Sequence, residues 1–417
     1  MVIQQLSSDE RERLFSWLSC GYGGCDKYLA NLRQSEQAPG VRSDMHAVIR
    51  SDDGRLLSHA AIVPKILRIG KSRLWAGLIS AVYTAPEARR QGHAERLMAY
   101  LHEKFAETFD LFYLSSSPVG LGLYARCGYT IFLNDYVSRL ATLTLLNLGD
   151  DASFRDRKLT EQDIPWMSEM YEQTINDRCD WSVVRDTGYW SWVLEMTRLS
   201  GYRDDRFSFA VEKDGRPCGY VIGRSGNFHG GNSDQEITIL EVGLARDRTR
   251  EDDGRLFQAI LGRLARKAAE SKIPCVCVGL DRFHPLTMHC RLKLRAVSED
   301  FAKHDMVFFH DVERLLRTMT PELEYRLGRT KFVHGRYSLN MRFQDQTIRL
   351  QLNDGKIQVA SSSNEKADMA LDYSKAWHVL SGFLPLEACA SVHDEHHELC
   401  AALFPPVNGW SSHLDSY

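Results

Sequence analysis

Apolar residues recur along this chain with two different periods, and blocks of each period mark out the elements. After a helical start, strand-like runs fall at His46–Arg50, Leu57–Ile69 and Gly77–Thr84. Ala94, Leu97, Met98, Leu101 and Phe105 then stand at i, i+3, i+4, i+7 and i+11, which is the spacing of one helix face. Another strand follows at Leu111–Ser115. The polar stretch Gly149–Arg157 reads as a linker. Beyond it the order repeats. A helical opening, Asp163–Ile175, precedes a segment carrying Trp181, Trp190 and Trp192. Strands at Phe207–Glu212 and Gly219–Gly223 flank the turn Lys213-Asp214-Gly215-Arg216. A strand at Glu236–Val242, a helix at Leu256–Ser271 and a strand at Ile273–Leu280 complete the series. The shared β-β-α-β order predicts an internal duplication.

A third zone begins near Thr320. Tyr337–Phe343, Thr347–Leu352 and Lys356–Ala360 alternate as strands, with turns at Gln344-Asp345-Gln346 and Asn353-Asp354-Gly355. Ala367–Leu371 adds a strand and Tyr373–Ser381 a helix, making a small α+β layer. Leu403 to Tyr417, with Pro405, Pro406 and Gly409, reads as irregular chain. The expected units are 1–150, 151–317 and 318–417.

Length and composition agree. A chain of 417 residues, at about 150 per domain, suggests roughly three domains. The formal charge of −3, from 52 basic and 55 acidic side chains, lacks the basic excess of a generic nucleic-acid coat. Hydrophobic residues at 43% and charged residues at 26% fit a soluble globular protein. No apolar run is long enough for a bilayer, and Asp9, Glu10 and Arg11 stand where a signal peptide needs an apolar core. A cytoplasmic protein with neither membrane nor nucleic acid as partner is expected. Ten cysteines in so long a chain do not make a disulfide framework. Cys275 and Cys277 share one strand face and read as small buried hydrophobes. His393, His396, His397 and Cys400 would share one face of a helix, but Asp394, Glu395 and Glu398 surround them. The expectation is an exposed or interface helix and no metal.

The candidate chemistry is concentrated in Leu78–Tyr100. An apolar strand ends at Thr84, and Pro86 stops it. Arg89-Arg90-Gln91-Gly92-His93-Ala94 then leads directly into the amphipathic helix. The first amides of a helix are unpaired and carry partial positive charge. Gly92 has no Cβ to hold the backbone away from a ligand, and Ala94 keeps the first turn open. Arg89 and Arg90 add charge-assisted hydrogen bonds. A basic turn on a helix N-terminus suits a diphosphate.

This segment, followed by Leu111–Ser115 and Leu123-Tyr124-Ala125-Arg126-Cys127-Gly128-Tyr129, resembles the GNAT family of acyl-coenzyme A-dependent N-acyltransferases. The resemblance implies that Arg89, Arg90, Gln91, Gly92, His93 and Ala94 bind the pyrophosphate of acetyl-CoA. It also implies that backbone at Ala81, Val82, Tyr83 and Thr84 pairs with the pantetheine arm, and that Tyr124 stands beside the sulfur. His93 only lines the turn. In the second zone Glu251-Asp252-Asp253 occupies the corresponding place and would repel a diphosphate, so that copy should shape a cleft or an interface instead. Two such units plus a tail resemble the Eis (enhanced intracellular survival) family. That tail is carried here by Gly335–Leu339, Asn353–Lys356, Ala367–Leu371 and Leu380-Ser381-Gly382. The implied fold is α/β (α+β): two tandem GNAT-like mixed-sheet domains followed by a small sterol-carrier-like α+β domain.

The implied reaction is attack of an amine on a thioester. A lysine-like amine has a pKa of about 10.4, so the site must accept a proton and later return one to the leaving thiolate. Tyr124, a phenol near about pKa 10, suits the acid facing a thiol of about 8.5. By resemblance the base is the C-terminal carboxylate of Tyr417, which at about 3.5 could act by attracting the ammonium; Asp415 is its neighbour and alternative. Asp26 and Glu36 could line the acceptor cleft. The acceptor is expected to be a small polyamine-type molecule such as an aminoglycoside, with protein lysine as the alternative. A lipid-binding protein with relic transferase units is the alternative of another class. The resemblance also suggests a homo-oligomer, since symmetric assemblies, commonly hexamers, occur in that family.

Overall fold

The apolar runs between Ile3 and Phe308 fold into one continuous sheet of 13 strands, and the last hundred residues add a sheet of five. The computed structural model describes the chain except residues 1–2, 6–9, 22–25, 149–150, 177–180, 202, 227–234, 247–249, 282–283, 345, 363–365, 408–414 and 416–417. For 3–5, 26–28, 133–136, 175–176, 181, 250–251 and 297–303 it describes the backbone alone.

The first unit runs β1 (Ile3–Gln5), α1 (Arg11–Gly21), α2 (Asp26–Ser35), β2 (His46–Arg50), β3 (Leu56–Ile69), β4 (Ser72–Thr84), α3 (His93–Lys104), β5 (Leu111–Ser116), α4 (Leu121–Arg126), β6 (Thr130–Ala141) and α5 (Thr142–Leu146). Strands β1 to β4 are antiparallel neighbours, whereas β4 and β5 are parallel and joined by α3. The apolar stripe expected of α3 is the face it buries. Leu97, Met98 and Leu101 pack on Ile62, Ile79 and Phe112 of the sheet. Burying each such side chain stabilises the fold by about 1.5–3 kcal/mol.

The second unit repeats the pattern with β7 (Phe154–Lys158), α6 (Ile164–Tyr171), β8 (Trp181–Val183), α7 (Thr187–Leu199), β9 (Phe209–Lys213), β10 (Arg216–Ser225), β11 (Glu236–Leu244), α8 (Arg250–Glu270), β12 (Cys275–Val278), α9 (Pro285–Leu292) and β13 (Val297–Phe308). Again three antiparallel strands lead into a parallel pair, β11 with β12, joined by a helix. The β9–β10 turn has Asp214 and Gly215 at φ 52° and 74°, the left-handed pair that a tight hairpin needs. Strand order across the sheet is β1-β2-β3-β4-β5-β13-β6-β12-β11-β10-β9-β7, with β8 on β3. Thus β13, from the far end of the second unit, lies between β5 and β6 of the first. It pairs antiparallel with both, for example Met306 with Leu114 and Asp305 with Leu133.

The polar stretch expected to be a linker is partly strand. β7 starts inside it because Phe154 is buried, and Arg157 is tied by Asp163 at 2.7 Å and Glu212 at 2.6 Å. Cys275 and Cys277 do share a face, with their sulfurs 3.8 Å apart.

The last unit begins with α10 (Val312–Leu327), then β14 (Arg336–Phe343), β15 (Gln346–Asn353), β16 (Lys356–Ser361), β17 (Met369–Leu371), α11 (Tyr373–Leu380), α12 (Leu386–Cys389), β18 (Ala390–Val392) and α13 (His397–Leu403). Leu339, Met341, Leu350 and Leu352 of its sheet share one core with Leu316 and Leu323 of α10, Trp377 of α11 and Leu399 of α13. The helix that would have aligned three histidines with Cys400 is not formed as one piece. His393 precedes a short 3-10 turn at Asp394–His396, α13 starts only at His397, and Cys400 is buried. His396 Nε2 faces Asp368 at 3.3 Å and His397 Nε2 faces Glu387 at 3.4 Å. Among the described residues no group of three or more His, Cys, Asp or Glu could hold a metal ion, and no helix is long and apolar enough to cross a membrane.

Asp163 gives a test of the second unit. Burial raises its pKa, but donation by Arg157, Thr160 and Trp166 outweighs burial and holds it at about 2, below its ordinary 3.8. A carboxyl held low contributes stability that is present above its unfolded value and lost as pH falls through its folded value. Urea unfolding monitored from pH 5 to pH 2 should therefore show a loss, mostly between about pH 4 and 2, that Asp163→Asn abolishes. The two proteins should differ by about 2 kcal/mol at neutral pH.

Candidate active site

Parallel pairing between β4 and β5 covers only Ala76 with Leu111, Gly77 with Phe112 and Leu78 with Tyr113. Beyond that point β4 runs on to Thr84 beside β3, while β5 runs to Ser116 beside β13. The strands part, and a gap opens between Ile79–Thr84 and Leu114–Ser116. Gly77 makes the close approach at the apex possible, since a Cβ there would meet the Phe112 ring at 2.9 Å.

One wall of the gap is distorted. The β3–β4 register shifts between His59 and Ala61, so that Ala81 and Val82 stand opposite Ala60 alone. Ala81 takes φ 50°, a left-handed value that costs a residue with a side chain about 1 kcal/mol or more. The bulge thus turns backbone groups of β4 away from the regular ladder.

Past Thr84 the chain reaches the basic turn. Gly92 is the N-cap of α3 at φ 73°, with no side-chain cap on the helix amides and open space where a Cβ would be. Arg90 is also left-handed, at φ 61°. Arg89, Arg90 and Gln91 are exposed, and Arg89 Nε donates to Thr84 O at 3.2 Å, fastening the turn to the strand end. The His93 ring is buried beneath the turn, and neither of its nitrogens has a hydrogen-bond partner among the described residues.

Tyr124 sits on α4, directly after β5. A Cβ on Gly120 would meet its ring at 2.9 Å and Ser116 Oγ at 2.8 Å, so glycine there lets the phenol pack against the end of β5. Its neighbour Tyr129 is buried, 2.8 Å from His102 Nε2, and stacks edge-on with Tyr124 at 6.0 Å. Tyr129 therefore has the packing role and Tyr124 the rim of the gap.

The remaining sequence-derived residues are distributed on the other side. Asp26 begins α2, but its side chain lies outside the description, as does Tyr417. Glu36 follows α2, forms an ion pair with His46 Nε2 and faces Arg11 Nη1 at 3.3 Å. His46 Nδ1 lies 3.1 Å from His59 Nε2, and His59 Nδ1 lies 2.8 Å from the carbonyl of Ala81. These two histidines had no place in the sequence reading. They stand in apolar strand runs, where a buried polar side chain needs a partner.

A second buried cluster was also not foreseen. Arg185, Glu241 and Asp415 are fully buried together. Arg185 makes two bonds to Glu241, at 2.9 and 2.7 Å, and two to Asp415, at 3.0 and 2.8 Å. Its guanidinium lies over Tyr171 and Trp190. Tyr189 donates to Asp415 at 3.0 Å and accepts from Lys65 at 2.6 Å. Burial lowers the Lys65 amine to about 7, against the pull of Asp415. Burial, then the charge of Asp415, pushes the Tyr113 phenol well above its ordinary range. Asp415 therefore stands near Tyr113, at the apex of the gap.

In the second unit the corresponding space is filled. β11 and β12 part after Ile239 and Val278. His284 approaches Val242 O at 3.2 Å, and a Cβ on Gly243 would meet the Tyr220 ring at 2.0 Å. Tyr220 in turn donates to Glu241 at 2.9 Å. Asp252, one of the three acids at the start of α8, pairs with Lys213 at 2.7 Å.

Comparison with known proteins agrees with this geometry. Residues 3–132 match the family model described as "Acetyltransferase (GNAT) domain". Over 100 residues the chain is 30% identical to N-alpha-acetyltransferase 20 of Dictyostelium discoideum, a match covering 23% of this chain and 53% of that protein. The chain thus spans about half the length of that curated relative. Among solved structures, a GCN5-related N-acetyltransferase from Anabaena variabilis superposes with TM-score 0.69 at 16% identity, over 98% of each chain. Another from Kribbella flavida gives 0.67 at 14% identity, covering 100% of this chain and 98% of that one. Eis1 from Mycobacterium abscessus gives 0.63 at 16% identity, again over 98% of each. Residues 3–132 thus match a GNAT acetyltransferase domain, and the chain shares, end to end, the fold of solved GCN5-related N-acetyltransferases.

Proposed function

We propose that the protein transfers an acetyl group from acetyl-CoA to a primary amine of a small polyamine-type acceptor, such as an aminoglycoside. The observation that carries the transferase reading is the β4–β5 gap, which leads directly to the uncapped helix start at Gly92. The acceptor class rests on the resemblance to Eis-like chains, with protein lysine as the second class to be screened.

The residues present fit the donor. The amides of His93 and Ala94 and the exposed guanidinium groups of Arg89 and Arg90 offer a cradle for a diphosphate, and the space over Gly92 leaves it accessible. The bulged backbone from Ala81 to Thr84 offers hydrogen-bonding groups to an extended pantetheine arm, in the manner of an added strand. When bound, acetyl-CoA supplies the thioester carbonyl that an amine attacks. Tyr124, on the rim opposite β4, returns a proton to the leaving sulfur. The C-terminal carboxylate of Tyr417, two residues beyond the anchored Asp415, draws the ammonium toward the apex. The unit around residues 151–317 braces the cleft and holds that tail, and residues 318–417 supply it.

Four outcomes test the reading. In an assay of thiol release from acetyl-CoA, a panel of aminoglycosides and polyamines should include acceptors that stimulate turnover; no release with any amine would refute the proposal. Arg89→Ala should weaken acetyl-CoA binding about tenfold by calorimetry, the worth of one charge-assisted bond, with a smaller change in kcat. Tyr124→Phe should lower kcat by about 10–100-fold while leaving the donor Kd unchanged. For the tail, appending residues after Tyr417 should lower kcat about tenfold or more without altering donor affinity. A fully active extended protein would take that carboxylate out of the mechanism.

A further inference from the structure

We propose that Glu36, His46 and His59 form the proton-accepting element of the acyl transfer, a relay running from the bulge in β4 to the surface beside Arg11. The proposal deepens the acetyltransferase reading and rests on it.

Hydrogen-bond logic fixes the direction of every proton in this chain. The carbonyl of Ala81 can only accept, so His59 Nδ1 carries a hydrogen and donates to it. His59 is neutral, because burial, then the nearby charge of His46, pushes it down to about 3. Its Nε2 is therefore a lone pair, and His46 Nδ1 must donate to it. That leaves His46 Nε2 facing the carboxylate of Glu36. A proton placed between these two atoms is shared by both. His59 Nδ1 already carries the hydrogen donated to the bulge, and its Nε2 lone pair accepts from His46. His59 is the positioning residue, and the Glu36–His46 couple is the acceptor.

The couple stands where a proton must leave. A cavity of about 20 Å³, room for one water, is bordered by Glu36, His46 and His59 on one side and by Ser80 and Ala81 on the other. Ser80 and Ala81 belong to the stretch of β4 that walls the gap. Phe15, Leu18, Leu32, Val41 and Val63 close much of the rest with apolar surface, and Ser35 of α2 adds a hydroxyl, so Glu36, His46 and His59 are its titratable border. Among the described residues, the charged and titratable groups facing the couple are Arg11 from α1 and His59 from β3; β4 contributes the Ser80 hydroxyl and the Ala81 carbonyl. Arg11 Nη1, 3.3 Å from Glu36 Oε2 and about a third exposed, links the couple to solvent.

The balance is as follows. An acceptor ammonium gives one proton, through the cavity water, to the deprotonated couple. The free amine forms the new N–C bond as the C–S bond breaks. The second nitrogen proton goes to the sulfur, by way of Tyr124, and the proton held by the couple leaves to solvent. The net reaction releases one proton per acetyl group.

The test compares two acceptors with the full-length protein: an alkylamine, protonated at neutral pH, and an alkoxyamine, already unprotonated there. His46→Gln should lower kcat for the alkylamine by about 10²-fold and remove the rising limb of its pH profile, while kcat for the alkoxyamine stays within about threefold. Glu36→Gln, at the more accessible end of the relay, should act in the same direction and guards against a folding defect in the first variant. His59→Asn keeps a donor for Ala81 but not the acceptor for His46, and should cost the alkylamine reaction more than the alkoxyamine reaction. An unchanged calorimetric Kd for acetyl-CoA identifies the variants as folded. Equal losses with both acceptors, or an unaltered pH profile, would overturn the relay while leaving the acetyltransferase reading intact. Wild-type protein that releases no thiol with any amine would overturn both.

Discussion

Three residues of parallel pairing, Ala76–Leu78 against Leu111–Tyr113, hold β4 to β5, and the rest of the site depends on their being so few. A longer ladder would close the gap. None at all would leave β4 and the α3 start without a fixed relation to α4. The apex is kept tight by Gly77 against Phe112, and the opening is kept wide because the far edge of β5 is bonded to β13. The backbone of β4 then departs from the ladder at Ala81, and the basic turn follows within a dozen residues. Strand, bulge, turn and helix start form one continuous wall.

The opposite side of the apex is governed by buried charge. Arg185 and Lys65 carry two positive charges when protonated, against two negative ones on Glu241 and Asp415. Removing one partner from such a cluster leaves an uncompensated ion and typically costs about 3–5 kcal/mol. The buried cluster, Asp415 included, is therefore an electrostatic component of the core. Asp415 comes from the third unit's end, while its partners come from β3, the segment after β8, α7 and β11. All three units meet on that one carboxylate.

Much of this was legible in the chain. Period-2 and period-3.6 patterns located four of the five strands of the last unit and the buried face of α3 within a residue or two; β18 had no such signal. Turns such as Asn353-Asp354-Gly355 announced themselves because Asp354 and Gly355 must adopt φ 47° and 81°. The basic turn leading into α3 and the place of Tyr124 just after β5 were readable in the sequence. The insertion of β13 was not, since it pairs with strands roughly 160–190 residues earlier and no local pattern encodes that. The His46–His59 contact was equally hidden: each ring lies within an apolar run, and only the antiparallel register of β2 and β3 brings them together. Phe154 shows the reverse failure. A polar stretch hid one aromatic anchor, and tertiary burial made a strand of it.

The position of β13 has a consequence for biosynthesis. A nascent chain that has emerged only to α5 possesses β5 and β6 but not the strand that separates them. Until Phe308 leaves the ribosome, two long apolar edges stand open to each other or to a neighbouring polypeptide. Contacts so distant in sequence close slowly. The sheet of the first unit is thus completed last, by a strand from the second.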